Sequence, residues 1–166
     1  PKRRYWDKGE VDTTAPLDEA TPLDRARVVL PGTDVTLLTY GPLVRTCMEA
    51  AMAASSAGTV SPGGTATDPR SIEVIDLRSL SPLDMATIID SVQRTGRCVV
   101  AHEAPVYAGL GAEIAARVTE ACFYHLESPV LRVGGFATPY PPSRLEEHYL
   151  PDLDRILDAV DRTFAY

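Results

Sequence analysis

Nowhere does an apolar run in this chain approach the roughly 20 residues that a membrane helix needs, and no signal-peptide pattern opens it. Several chemical signatures are missing as well. There is no G-x-S-x-G elbow, no H-E-x-x-H helix and no repeated cysteine pair, and no glycine loop runs into Lys-Ser or Lys-Thr. Cysteine is scarce. Cys47, Cys98 and Cys122 share no metal-ligand spacing, and each falls within an apolar pattern. They read as buried free thiols in a reducing compartment, which predicts a cytosolic protein. Basic residues are outnumbered: 16 Lys and Arg face 23 Asp and Glu, for a net charge of -7. Phosphate binding needs a basic face, so this balance argues against nucleic acid while leaving a basic protein partner open.

What is present points to one α/β domain. The chain has 166 residues, 45% of them hydrophobic, which is enough to bury a substantial core. It begins on Pro1 without methionine, and residues 1–24 are basic and aromatic at first, then proline-bearing and aperiodic. That stretch reads as a connector or arm, and Pro1 as a point inside a longer protein. The domain proper is expected over 25–166.

Strand and helix signals alternate from there. Arg25–Leu30 suits an edge strand and Asp34–Tyr40 a firmer, β-branched one. Pro42 opens a helix whose apolar stripe is Leu43, Val44, Cys47, Met48 and Ala51. Residues 55–70 hold no aromatic and are broken by glycine and proline, so a mobile insertion loop is expected. Ser71–Asp76 is the next strand. Ser81-Pro82-Leu83-Asp84 resembles a helix start with a serine cap and an acid three residues on. Met85, Ile88, Ile89 and Val92 form that helix's apolar stripe, and Gly96 ends it. Cys98–Ala101 and Val130–Val133 are short buried strands, and a last helix carries Leu153, Ile156, Leu157, Val160 and Phe164 on one face. The pattern predicts a three-layer fold: a mostly parallel sheet of about five strands with helices on both faces.

The chemistry-bearing residues cluster after Ala101. His102-Glu103 is expected at a strand's carboxyl end, where open α/β sheets tend to carry sites. The pair could serve as acid and base, but strand neighbours point to opposite faces, so interdomain hydrogen bonding or helix capping competes. Gly109-Leu110-Gly111 could cradle a small anion at a helix start, or could be only a tight turn. Position 114 is Ile where a dinucleotide fingerprint needs glycine. His125 and His148 are isolated and read as surface or loop residues. No metal-ligating set emerges.

Several stretches taken together resemble a known family: SIEVIDLRSLSPLD, RTGRCVVAHEAPVYAGLGAEIAARV, ESPVLRVGGFATPYP and YLPDLDRILDAV, supported by DVTLLTYGPLVRTCMEAA and the opening PKRRYW. They are similar to the C-terminal, transketolase C-terminal-like domain of beta subunits of the thiamin-diphosphate-dependent component of 2-oxo acid dehydrogenases. HEAP and FATPYP resemble the branched-chain type (3-methyl-2-oxobutanoate dehydrogenase) more than the pyruvate type. The resemblance implies a five-stranded, mostly parallel sheet and an assembly role. It implies thiamin diphosphate and magnesium in the full enzyme, with the cofactor and most catalytic groups outside this stretch. His102 and Glu103 would then act at most from behind the catalytic groups, and the fragment alone would be inactive. Implied partners are the alpha subunit, a second beta subunit and the subunit-binding domain of the dihydrolipoyl acyltransferase, met by Glu127 and the Tyr166 carboxylate. The implied location is the cytoplasm, or the mitochondrial matrix in a eukaryote. The family's link at 55–70 is usually shorter, an insertion that slow growth of closure entropy tolerates. A pyruvate or acetoin dehydrogenase beta subunit is the near alternative, and a free-standing module binding a small anion at Gly109–Gly111 the distant one.

Overall fold

The computed structural model describes residues 24–56 and 68–166. The connector over 1–24, apart from Asp24, and most of the 55–70 loop lie outside the described residues. The loop's ends are within them. Ser55 and Ser56 close the first helix, and the Arg70 amide donates to the Ala54 carbonyl at 3.0 Å.

Five strands form one sheet: β1 (Arg27–Leu30), β2 (Val35–Thr39), β3 (Ile72–Asp76), β4 (Cys98–Pro105) and β5 (Leu131–Gly135). Their spatial order is β1-β3-β2-β4-β5, with β1 antiparallel to β3 and every other pair parallel. All five β2 residues are buried, as expected of a central strand covered on both faces. Helices α1 (Leu43–Ser56) and α5 (Leu153–Arg162) cover one face. There Val35, Leu37, Val74, Val99 and Val133 meet Cys47, Ala50, Ala51, Ile156 and Val160. Helices α2 (Met85–Thr95) and α3 (Leu110–Cys122) cover the other, where Leu38, Ile75, Cys98 and Val100 meet Ile88, Val92, Ile114 and Val118. The expected three-layer α/β architecture is what the chain forms.

Two local expectations need correcting, and one element has no counterpart in the sequence pattern. Strand β4 runs on through His102 and Glu103 to Pro105, because β5 pairs with it as far as Gly135 opposite Pro105. Helix α2 starts at Met85, not after Ser81. Asp84 is its cap, accepting from the Thr87 amide at 3.2 Å and hydroxyl at 2.6 Å, and from the Ala26 amide at 3.0 Å. A 3₁₀ turn (Ser143–Leu145) and a one-turn helix α4 (Glu146–Tyr149) precede α5, in a stretch where the sequence pattern marks no element. Tyr149 buries its ring there, so packing rather than periodicity fixes that turn.

Buried hydroxyls tie α2 to the sheet. Thr36 Oγ1 lies 2.6 Å from Ser91 Oγ and 2.8 Å from Thr95 Oγ1. Because Asp84 satisfies one helix donor and also holds the approach to β1, Asp84→Ala should cost about 1–2 kcal/mol. Urea unfolding with an unchanged denaturant slope is the check.

Candidate functional site

His102 sits on the α3-facing side of β4, wholly shielded from solvent. Apolar Cys98 and Val100 precede it on that face of the strand, and the amino end of α3 lies over it. Its two nitrogens are both engaged: Nδ1 is 2.9 Å from the Ala104 carbonyl oxygen, and Nε2 is 3.1 Å from the Gly111 amide nitrogen. A carbonyl can only accept and an amide can only donate. The ring must therefore be neutral, with its proton on Nδ1. Burial pushes the imidazole below its ordinary range, and nearby Arg132 adds to that, against the opposing pull of the bond to Ala104.

The glycines nearby make room for this ring. A Cβ on Gly111 would lie 2.5 Å from Nε2; one on Gly109 would first meet the Pro105 carbonyl oxygen and one on Gly134 the Ala104 carbonyl oxygen, with Cε1 of the ring at 2.9 and 3.1 Å. Gly109 and Gly111 belong to the turn into α3, and Gly134 comes from the neighbouring strand β5. The amide that could greet an anion at this helix start, Gly111 N–H, already donates to His102. The turn seen in the sequence thus has a packing purpose.

Other members of the crest are less enclosed. The Tyr40 ring, just past β2, stacks on His102 with centroids 6.3 Å apart. Burial, and then the Glu103 carboxylate, push the Tyr40 phenol above its ordinary range. Glu103 is half-buried. Adjacent residues on one strand, His102 and Glu103 are not presented to a common atom. His125 and His148 are exposed, as expected. As a chemical unit, the crest supplies a fixed turn, and its histidine has no lone pair or proton left for a reactant.

The two partner-facing candidates lie toward the amino end of β4, away from the crest. Glu127 forms an ion pair with Arg97 Nη2, and its amide donates to the Gly96 carbonyl at 2.8 Å. Arg97 in turn donates from Nε to the Thr163 carbonyl at 3.3 Å and lies 4.3 Å from the Phe164 ring centroid, with Arg70 at 3.8 Å. Glu127 is thereby linked through Arg97 to the segment that ends at exposed Tyr166. Sequence reasoning named both residues but missed the arginine that joins them, 30 positions before Glu127. The Glu127 side chain is 58% exposed, so Glu127→Gln should change stability by less than about 1 kcal/mol. Thermal melting at low and high salt checks this.

The cofactor that the resemblance implies does not fit these residues. Among the described residues no group of three or more His, Cys, Asp or Glu is placed to hold a metal ion. The Gly111 amide is occupied. No described helix is long and apolar enough to cross a membrane.

Comparison with known proteins agrees with the fold. The transketolase C-terminal domain model matches residues 24–156. The pyruvate dehydrogenase E1 component subunit beta of Leifsonia xyli subsp. xyli is 51% identical over 166 residues, all of this chain and 45% of that protein. The 3-methyl-2-oxobutanoate dehydrogenase subunit beta of Mycobacterium tuberculosis is 52% identical over 162 residues, 98% of this chain and 43% of that protein. Among solved structures, a split-gene transketolase (inactive beta4 tetramer) superposes with a TM-score of 0.66 at 26% identity. That match covers 87% of this chain and 42% of the other. The chain therefore spans less than half the length of these relatives. With the sheet order, the covered faces and the family match in agreement, the chain belongs to the transketolase C-terminal domain family, in the form found in 2-oxo acid dehydrogenase E1 beta subunits.

Proposed function

We propose that this chain is the assembly and docking domain of a branched-chain 2-oxo acid dehydrogenase beta subunit. Residues 25–166 would form the domain and 1–24 the connector to the catalytic half. The observation that supports this reading is the 52% identity, over 98% of the chain, to a 3-methyl-2-oxobutanoate dehydrogenase subunit beta. In the whole complex the activity is oxidative decarboxylation of a branched 2-oxo acid with acyl transfer to a lipoyl group. The domain's own work is mechanical. A buried, neutral His102 holds the β4–α3 turn, and the Glu127–Arg97–Thr163 chain holds the opposite end against the last helix. Partners would be the alpha subunit, a second beta subunit and the acyltransferase's subunit-binding domain, the last at Glu127 and Tyr166. Thiamin diphosphate and magnesium would be held by residues outside this stretch. A cytoplasmic location, or the mitochondrial matrix in a eukaryote, accords with the reading.

The pyruvate type is the second reading, favoured by the 51% match over the whole chain. The two differ in the size of the substrate's side chain, which a pocket discriminates by roughly tenfold or more. The test is to assay the full-length beta subunit, co-expressed with its alpha subunit, on 3-methyl-2-oxobutanoate and on pyruvate. A higher kcat/KM on the branched acid supports the proposal. A higher value on pyruvate moves it to the second reading, and no decarboxylation of either contradicts both.

A further inference from the structure

The carboxyl ends of β4 and β5 frame a cleft of about 480 Å³ whose walls include Tyr107, Arg132, Phe136 and Arg155. No carboxylate lines it. Elsewhere in this acidic chain, Arg94, Arg97 and Arg162 each face an acid. The cleft's two arginines form no ion pair among the described residues, although Asp154 and Asp158 line the adjoining hollow with them. Arg132, exposed, donates from Nη1 to the Val106 carbonyl at 3.3 Å. Arg155 donates to the Tyr149 and Gly134 carbonyls and lies 4.7 Å from the Phe136 ring centroid. Around them the surface is aromatic: Tyr107 is 81% exposed, Phe136 51% and Tyr140 50%.

This wall is also held in place. Tyr107 stands on the turn that His102 ties down at Ala104 and Gly111, and its neighbour Ala108 takes a left-handed φ of 56°. Arginine and exposed aromatic rings are the residue types that carry binding energy in protein interfaces. Fixing them beforehand lowers the entropy lost on association.

We propose that this cleft docks an acidic segment of a partner protein, in which an Asp or Glu stands beside aliphatic side chains. The carboxylate meets Arg132, and the aliphatic groups cover Tyr107 and Phe136. The inference adds a second partner surface, at the end of the strands opposite Glu127, and rests on the functional reading only in placing the chain within a multisubunit complex.

The test uses the assembled complex containing the full-length subunit, with p-benzoylphenylalanine replacing Tyr107 and, as a control, replacing exposed Tyr124. The expected product is a crosslink from position 107 to another kind of polypeptide in the complex, within a few residues of an Asp or Glu. Its yield should fall by about tenfold or more with Arg132→Glu and persist with Arg132→Lys. The proposal is overturned by a crosslink inside the same chain, to a second copy, or to a segment without acids. A yield no higher than that of the Tyr124 control, or indifferent to Arg132→Glu, also overturns it. An active complex giving any of these results leaves the functional reading intact; failure of the unsubstituted complex to assemble contradicts both.

Discussion

Gly111→Ala is expected to destabilise the chain by about 2–4 kcal/mol. Helix propensity alone predicts the reverse sign, since Gly111 lies inside α3 and alanine is better there by about 1 kcal/mol. The geometry decides otherwise. The added methyl would lie 2.5 Å from His102 Nε2 and 2.9 Å from its Cδ2. The ring cannot retreat, because it is buried and bonded at Nδ1 to Ala104. Relieving the clash breaks the Gly111 N–H bond and leaves two buried polar groups unmet. Equilibrium urea unfolding of Gly111→Ala gives the cost, and Gly111→Ala/His102→Ala tests its origin. The double variant should be less destabilised than the sum of the singles by about 1 kcal/mol or more. Additive effects would place the strain elsewhere.

The second large effect is on pH dependence. His102 is held neutral in the folded chain, and its folded pKa lies below the ordinary value of 6.5. Below that value the unfolded chain takes up a proton that the folded chain refuses. Stability is thus fully present above about pH 6.5 and is lost as pH falls toward the folded pKa, by at most about 1.4 kcal/mol per pH unit. Melting temperature should accordingly decline from pH 6.5 downward, beyond whatever the carboxylates contribute at lower pH. His102→Gln removes the titrating group, so the variant should be less stable at pH 7 yet lose this part of the slope. An unchanged slope between pH 6.5 and 5 in the variant would mean that another group carries it.

Much of this architecture is legible in the chain, and the failures have physical causes. Alternating apolar runs locate every strand and long helix, because a buried parallel strand must be apolar on both faces. The end of β4 is not legible: nothing in HEAP reveals that Gly134 and Gly135 of β5 will pair alongside it. At α2 the sequence offers two side chains able to cap, Ser81 and Asp84, and only the position of Thr87 and Ala26 around the carboxylate selects the second. The glycines around His102 show the same limit. Gly109 and Gly111 are recognisable as a turn, but the ring they accommodate, and the third glycine from β5, come together only through the sheet. Tyr40, Arg132 and Arg155 have no local signature and were not read as site residues. One signal is present: a polar histidine directly continuing a buried strand, with a G-x-G beginning seven residues after it.

The central claim is that His102 is a buried, neutral strut with its proton on Nδ1, and not an acid or base. Long-range proton–nitrogen NMR of the ring reports both nitrogens directly. The account predicts a protonated Nδ1 and an unprotonated Nε2 at pH 7, with an imidazolium forming only below the ordinary histidine range. A proton on Nε2 at neutral pH, or an imidazolium forming near pH 6.5, would contradict it.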